Sequence, residues 1–195
     1  MLHELSRAVI FTAVTMLLCG GAYPLLVWGI GQAVFGEKAD GSLLRRPDGA
    51  VIGSRLIAQS FTRPEYFVAR PSAVDYNAAA TGGSNFGPSN ASHLTSVAEQ
   101  LDAVMTREGV PADRVPVDLI TTSGAGLDPH ISPDAAMIQA SRVAVARGVA
   151  IGRIHRLIGD HTEPRAFGFL GRPRVNVLEL NLALDAQLTA SGMQQ

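Results

Sequence analysis

The chain has 195 residues, with 16 Lys and Arg against 17 Asp and Glu, and its formal net charge is −1 at pH 7. This balance gives no strong overall field of the kind that draws a protein to nucleic acid or to an anionic surface. Cys19 is the single cysteine, which excludes an internal disulfide and zinc or iron–sulfur sites built from cysteines.

The N-terminal region contains a long apolar run. Residues 8–36 include no Asp, Glu, Lys, Arg or His and present no polar helical face. A helix rises about 1.5 Å per residue and crosses a hydrocarbon core of about 30 Å in about 20 residues, so this run can span a bilayer. We therefore assign residues 1–36 to an N-terminal transmembrane anchor, residues 37–49 to a juxtamembrane linker and residues 50–195 to a soluble domain.

Two alternatives fit the same apolar run. It could be a cleaved signal peptide with Gly20-Gly21-Ala22 as the cleavage site, although the run resumes at Leu25 and a cleaved signal does not need this second part. It could also be a buried helix of a soluble core.

Gly20, Gly21 and Pro24 lie in the middle of the run. In lipid, small residues let two helices approach closely, so these three positions are candidates for packing against another membrane helix. A tolerated kink is an equal alternative.

The basic residues around the anchor give little information on its orientation. Arg7 precedes the anchor, and Lys38, Arg45 and Arg46 follow it. The positive-inside rule applied literally favours a cytoplasmic domain, but only weakly, because long domains translocate largely regardless of their charge.

The soluble part is predicted to be a mixed α/β (α+β) domain. Strands are expected at residues 50–58, with Ile52 and Leu56 in the core, and at residues 115–122. Residues 175–184 alternate like a strand at first and then follow a helical pattern. Three polar residues of this last segment are expected on its polar side as hydrogen-bonding caps: Asn176, Glu179 and Asn181.

Three further helices are predicted, at residues 92–108, 133–147 and 149–158. The first can be capped by Asn90 or Ser92 and ends at Gly109. Its expected buried face consists of Leu94, Val97, Ala98, Leu101, Val104 and Met105. Residues 159–174 are expected to be a connector.

Three aromatic residues occur close together just after the first predicted strand. They are Phe61, Tyr66 and Phe67, in a chain with few aromatics. A packed corner is expected, and a patch that faces a partner is the alternative.

Residues 70–90 are rich in Gly, Pro, Asn and Ser and form a long predicted loop. Loops of this length inside a compact domain are uncommon and often functional. The alternative is a surface loop that satisfies its own polar groups. The candidate partner-contact or nucleotide-contact residues here are Arg70, Ser72, Tyr76, Asn77, Gly82, Gly83, Ser84 and Asn85.

A second glycine-rich loop leads into the helix that Ser132 and Pro133 begin. Such a turn is a possible anion cradle, although no Gly-Lys-Ser/Thr of a Walker A loop follows, and a purely structural turn is the alternative. The candidate contact residues in this loop are Ser123, Gly124, Asp128 and His130.

Ser123, Asp128 and His130 also hold the three residue types of a hydrolase triad. The surrounding sequence is not a Gly-x-Ser-x-Gly elbow, so no catalytic residue is assigned, and a membrane-tethered hydrolase stays an alternative. No metal site is assigned either, because His155 and His161 lack the spacing of metal ligands.

The ordered blocks of this chain resemble the C subunit of the Kdp-type potassium-transporting ATPase. The resemblance covers essentially the whole chain. It rests on the apolar N-terminal span and on residues 66–73 (YFVARPSA), 82–85 (GGSN), 87–90 (GPSN), 118–121 (DLIT), 123–132 (SGAGLDPHIS) and 174–181 (RVNVLELN).

This resemblance implies a non-catalytic accessory subunit of a bacterial inner-membrane pump that couples ATP hydrolysis to potassium uptake. The implied partners are a potassium-channel-like subunit, a P-type ATP-hydrolysing subunit and the bilayer, with no nucleic acid. The family is described as a single-span protein with its domain outside the cytoplasm, and as a catalytic chaperone that raises the ATP affinity of the hydrolysing subunit. No covalent cofactor is implied, and ATP is possible through a ternary complex with that subunit. A sensor or nucleotide-binding module is a further alternative.

Overall fold

The computed structural model describes residues 2–46 and 48–192, with side chains as far as residue 186. The chain divides into two compact units, residues 1–54 and residues 55–195.

The first unit begins with a long helix. Its segments are α1 (Leu2–Leu17), a π-helical turn (Leu18–Ala22) and α2 (Tyr23–Ala39). Together they form one helix of 38 residues, which is long and apolar enough to cross a membrane by length and composition. None of residues 2–39 is buried in the chain, so the alternative of a buried soluble helix is wrong.

The π-helical turn contains Gly20 and Gly21 and lies just before Pro24. Proline has no N–H, so the α-helical hydrogen bond from residue 24 cannot form. The wider turn is closed by the Tyr23 N–H, which donates to the Leu18 carbonyl. The two glycines therefore lie in a local irregularity of the helix, and their packing against another helix stays a prediction.

A β-hairpin completes the first unit. It pairs β1 (Leu43–Arg45) with β2 (Val51–Ser54) in antiparallel register, with Leu43 opposite Ser54. The strand predicted at residues 50–58 is thus shorter than expected, and its predicted core residue Leu56 is 58% exposed.

The second unit combines helices with a small sheet, as the sequence predicts. Its helices are α3 (Ala91–Glu108), α4 (Pro133–Arg147), α5 (Ile151–Asp160) and α6 (Val177–Gly192). The strands β3 (His130–Ile131), β4 (Thr162–Glu163) and β5 (Arg174–Asn176) form an antiparallel sheet in the order β3-β5-β4.

The prediction of a strand at residues 115–122 is wrong. The chain forms two 3-10 turns in this region, Ala112–Arg114 and Val117–Leu119. Pro111 and Pro116 each stand directly before a turn. Proline has no N–H for a sheet ladder, and its fixed φ suits the start of a turn.

The core lies among α4, α5 and α6. Small residues on one face of α4 let the neighbouring helices approach closely, and larger aliphatic residues come from the other two helices. These helices contribute to the hydrophobic core Ala135, Ala136, Ala140, Val143 and Ala144 from α4, Ile154, Leu157 and Ile158 from α5, and Val177, Leu180 and Leu184 from α6.

The expected buried face of α3 is only partly correct. Asn90 caps the helix by accepting from the backbone N–H groups of Ser92 and His93, and Gly109 ends it at φ 67°. Within the face, however, Val104 is buried and Leu94 is 57% exposed. The first turns of α3 therefore present apolar residues to the surroundings.

Two side-chain amides, those of Asn181 and Gln139, hold the backbone of Phe67 and Val68 in the core. Asn181 of α6 accepts from the Phe67 N–H and donates to the Phe67 carbonyl. Gln139 of α4 does the same for Val68, at 2.8 and 3.2 Å. The expectation that Asn181 is a cap on a polar side is thus wrong, because it is 1% exposed and serves a distant segment. The packed corner around Phe67 is confirmed, since this ring is fully buried.

Candidate partner-contact site

The two loops predicted as contact sites, residues 70–90 and residues 123–130, lie against each other. The Ser72 hydroxyl donates to the Gly126 carbonyl at 2.6 Å. The Gly82 N–H donates to the Ala125 carbonyl at 3.0 Å. Two segments far apart in sequence therefore form one hydrogen-bonded platform, which we call the interlocked loops.

Ser72 organises its own side of this platform. Its hydroxyl oxygen accepts from the backbone N–H groups of Val74, at 3.2 Å, and of Tyr76, at 2.9 Å. Tyr76 in turn donates its phenolic hydrogen to the Arg70 carbonyl at 2.7 Å. Burial raises the pKa of Tyr76, with the nearby Arg107 opposing the rise, so the phenol stays a neutral donor at physiological pH.

Glycines allow the close approach of the two loops. Gly126 has φ +69°, and a Cβ atom there would lie 2.8 Å from the Gly82 carbonyl oxygen. A Cβ atom at Gly83 would lie 3.0 Å from the Gly124 carbonyl oxygen. Gly82 and Gly83 on one loop thus face the glycine-rich turn of the other at backbone contact distance.

Arg70, Asp128 and His130 form a charged cluster at one end of the interlocked loops. Arg70 Nη1 lies 3.4 Å from Asp128 Oδ2. Asp128 Oδ1 accepts from the His130 backbone N–H at 3.0 Å and lies 3.1 Å from His130 Nδ1. Arg70 also donates to the Thr122 carbonyl at 3.3 Å, directly before the second loop, so it contacts both Asp128 of that loop and the residue that leads into it.

The pKa of Asp128 is lower than its ordinary value. Burial by itself raises this pKa, but the hydrogen bonds from the ring and backbone of His130 and the positive charge of Arg70 outweigh it. Asp128 is therefore a carboxylate that the fold holds ionised.

The three residue types of a hydrolase triad lie close together without the hydrogen bonds of a triad. Ser123 is 6% exposed, and its hydroxyl oxygen accepts from the Asp128 backbone N–H at 3.5 Å. The His130 ring contacts the carboxylate of Asp128. In a triad the serine hydroxyl bonds to the histidine. Here Ser123 and His130 each make a hydrogen bond to Asp128 and not to each other. This arrangement stabilises a turn.

An open cleft of about 690 Å³ borders the charged cluster. Carboxylates already occupy the N-terminal end of α4 beside it. Asp118 accepts from the Ser132 N–H at 2.6 Å and from the Ser132 hydroxyl at 3.1 Å, and Asp134 stands in the first turn. Ser132 caps the helix through the Ala135 N–H, as predicted. These groups satisfy the positive end of the helix and disfavour an added phosphate there.

The remaining predicted contact residues lie outside this network. Asn77 accepts from the Ala79 N–H through its side chain and is exposed, and Asn85 is exposed at φ +54°. Ser84 lines a groove of about 340 Å³ between residues 70–90 and α3, together with Phe86. Among the predicted contact residues of the first loop, Asn77 and Asn85 present polar side chains outward.

Sequence reasoning missed several residues that build the site. Asp118, Thr122 and Gly126 make the contacts described above. Asp118 and Gly126 lie in blocks that carry the family resemblance, but nothing in those blocks marks them as residues that join two loops. For Gly126 one sequence signal exists, because each glycine of a Gly-Ala-Gly turn is a candidate for a close backbone approach.

The fold defines a class of protein: one candidate N-terminal membrane span joined to a mixed helix–sheet domain that carries the interlocked loops. A family model described as K⁺-transporting ATPase, c chain (KdpC), matches residues 5–186. The chain belongs to this family.

Named relatives agree with the family match. The chain is 50% identical over 187 residues to the potassium-transporting ATPase KdpC subunit of Geobacter sulfurreducens, covering 94% of this chain and 98% of the relative. It is 51% identical over 188 residues to the KdpC subunit of Mycobacterium bovis, covering 95% and 97%. The KdpC subunit of Gemmatimonas aurantiaca is 48% identical over 189 residues, covering 95% and 94%.

Proposed function

We propose that this chain is an accessory subunit of an ATP-driven potassium-uptake pump in a bacterial inner membrane. Its apolar helix would pack beside membrane helices of the other subunits, with Gly20, Gly21 and Pro24 at the contact. Its second unit would lie outside the cytoplasm. The observation that carries the proposal is the family match over residues 5–186, together with relatives whose names place them in potassium-transporting ATPases.

The interlocked loops are the proposed docking surface for the larger subunits. Their inner sides are joined by hydrogen bonds from the Ser72 hydroxyl and the Gly82 N–H to backbone carbonyls, whereas Asn77, Asn85 and Gly124 are exposed. A surface whose backbone is already ordered loses little conformational entropy on binding, which favours its use as a docking site. The proposed partners are a potassium-channel-like subunit and a P-type ATP-hydrolysing subunit.

A catalytic-chaperone role follows only if the contact differs between states of the pump. A subunit shifts an equilibrium by its differential affinity for the two states and by no more. We propose that ATP affinity is raised in this indirect way, within a ternary complex that includes the hydrolysing subunit. The carboxylates at the N-terminal end of α4 support a role without a phosphate held at that helix end.

The test uses Gly124→Arg in the full chain, co-expressed with the proposed partner subunits and purified in detergent. Gly124 is exposed, and a Cβ atom there meets no other atom within 4 Å, so the arginine fits the fold and blocks the outer face. The expected result is loss of the partner subunits from the purified complex and loss of potassium-stimulated ATP hydrolysis.

Ser141→Arg is the matched control, because Ser141 is exposed on α4 and belongs to neither of the interlocked loops. It should retain both the partners and the activity. If Gly124→Arg also retains both, the docking surface is elsewhere. If the unaltered chain brings down no large membrane protein, the accessory role itself is wrong.

A further inference from the structure

An apolar segment protrudes between β4 and β5, in the region that the sequence predicts as a plain connector. Residues 164–174 are all exposed. Within them Phe167 is 87% exposed, Phe169 is 70% exposed and Leu170 is 50% exposed. We call residues 164–173 the aromatic tip.

The backbone holds these side chains outward. Ala166 and Leu170 form an isolated antiparallel bridge, with both N–H···O distances at 2.9 Å. Phe167 has φ +53°, a conformation that costs roughly 1–2 kcal/mol for a residue with a side chain. At the base, Arg174 Nε donates to Glu163 Oε2 at 2.8 Å across the β4–β5 pair. The tip is thus an ordered display of apolar side chains.

Basic residues flank the apolar centre. Arg165 precedes it and Arg172 follows it, and both are exposed. The whole chain is nearly neutral, so this charge is a local feature. Aromatic rings between arginines match the boundary of a bilayer, where rings enter the acyl region and cations meet anionic headgroups.

The candidate anchor would keep the second unit, which carries this tip, close to a bilayer. The membrane-spanning helix ends at Ala39, and the second unit begins at Arg55. The connecting residues 40–54 reach no more than roughly 50 Å when fully extended. Such a tether gives even a weak lipid contact a high effective concentration.

We propose that the aromatic tip inserts into the headgroup region of the bilayer that holds the anchor, with Phe167 and Phe169 among the upper acyl chains and Arg165 and Arg172 on anionic headgroups. The proposal rests on the anchoring stated under the proposed function, but not on the potassium pump. A lipid surface is favoured over a protein partner for two reasons. A protruding tip can enter lipid without a complementary pocket. The tether of residues 40–54 also holds the second unit near lipid, whether or not a protein partner is present.

The test measures quenching of tryptophan fluorescence by brominated lipid. Trp28, in the anchor, is the only tryptophan of the chain. The full-length Trp28→Phe/Phe169→Trp variant is reconstituted into vesicles of phosphatidylcholine and phosphatidylglycerol brominated near the top of the acyl chains. Bromine then lies at the depth of about 5–10 Å that interfacial side chains reach, so the tip probe should lose roughly half of its emission.

The matched control is Trp28→Phe/Val145→Trp, because Val145 is 80% exposed on α4. Its emission should be unchanged by bromine. Trp28→Phe/Phe167→Trp gives a second tip probe if the first variant does not fold. Adding Arg165→Gln and Arg172→Gln to a tip probe should reduce the quenching in vesicles that contain phosphatidylglycerol.

Each other outcome overturns the proposal in a recognisable way. If Trp28 of the unaltered chain is quenched and the tip probes are not, the anchor is in lipid and the tip is not. Equal quenching of the Val145 and Phe169 probes means that the whole unit lies on the membrane without a specific contact. A blue shift of the tip probe only when other pump subunits are added, without bromine quenching, identifies a protein partner. If Trp28 of the unaltered chain is not quenched, the proposal that the N-terminal helix lies in the bilayer is wrong as well.

Discussion

Asn181 makes hydrogen bonds to both backbone polar groups of Phe67, each at 2.9 Å. Asn181 is 1% exposed and Phe67 is fully buried, so no solvent competes for these groups. The bonds connect α6, near the end of the chain, to the segment that enters the interlocked loops. A core amide therefore fixes where the candidate docking surface begins.

Asn181→Leu should lower the free energy of unfolding by about 2–5 kcal/mol, because it leaves two buried backbone groups without partners. Urea titration of the detergent-solubilised full chain, followed by circular dichroism, measures this. Gln100→Leu is the control, since Gln100 is exposed on α3, and it should change the stability by no more than about 0.5 kcal/mol. Equal effects of the two substitutions would contradict the role of the pair.

Ser72→Ala should loosen the interlocked loops. The substitution removes the donor to the Gly126 carbonyl and the acceptor for the Val74 and Tyr76 N–H groups. The expected loss of stability is about 1–3 kcal/mol. Hydrogen exchange should become faster at Val74 and Tyr76, and Ser84→Ala is the control in the same loop. Unchanged protection of both amides would show that the hydroxyl is dispensable.

Two neighbouring glycines give a matched pair of alanine substitutions. Gly126→Ala places a Cβ atom 2.8 Å from both the Gly82 carbonyl oxygen and Val74 Cγ2, at φ +69°. Gly124→Ala meets no other atom within 4 Å. Thermal unfolding should therefore show a loss of roughly 1–3 kcal/mol for Gly126→Ala and little change for Gly124→Ala. A reversed order would mean that the loops do not pack as described.

Acid should destabilise the fold in part through Asp128. Burial by itself raises its folded pKa, but His130 and Arg70 lower it further than burial raises it. The ionised carboxylate therefore stabilises the folded state at pH values above the unfolded pKa. That stabilisation is lost as the pH falls through the folded pKa. Asp128→Asn should be less stable than wild type at neutral pH and should lose less stability on acidification. Urea midpoints measured from pH 7 downward test this, with Asp102→Asn, at an exposed position of α3, as the control for net charge.

Gly20→Leu tests the packing predicted for the anchor. A leucine would hold a neighbouring helix away if this position lies at a helix–helix contact. Co-purification of the large subunits should fall, while the second unit keeps its thermal unfolding curve. Gly29→Leu is a control in the same helix, since both positions have no atom within 4 Å of an added Cβ. If the Gly20→Leu variant co-purifies fully with the large subunits, Gly20 is not at a helix–helix contact, and its place in the π-helical turn is its only role.

The sequence predicts the helices of this chain well where their end signals are local. Asn90 and Gly109 mark the ends of α3, and Ser132 and Gly148 mark those of α4. Each signal is a single residue whose side chain or φ angle serves the adjacent turn, so it can be read without knowledge of the fold.

The parts that escape prediction depend on distant contacts. The two-residue strand β3 exists because β5 pairs with it, and it is too short to show alternation. Gln139 resembles an exposed helix residue in the sequence, yet it is buried because the Val68 backbone requires an amide. The same holds for the site. Composition indicates two unusual loops, but only the fold shows that they interlock.

The base of the aromatic tip has a practical use. Thr162 pairs with Val175 and Glu163 pairs with Arg174, so the two strands leave and re-enter the sheet side by side. The segment between these pairs, residues 164–173, can be lengthened or exchanged without a change in the positions of the core helices. This hairpin is therefore a natural insertion point for an epitope or a fluorescent reporter, one that would follow the subunit during transport without disturbing α4, α5 or α6.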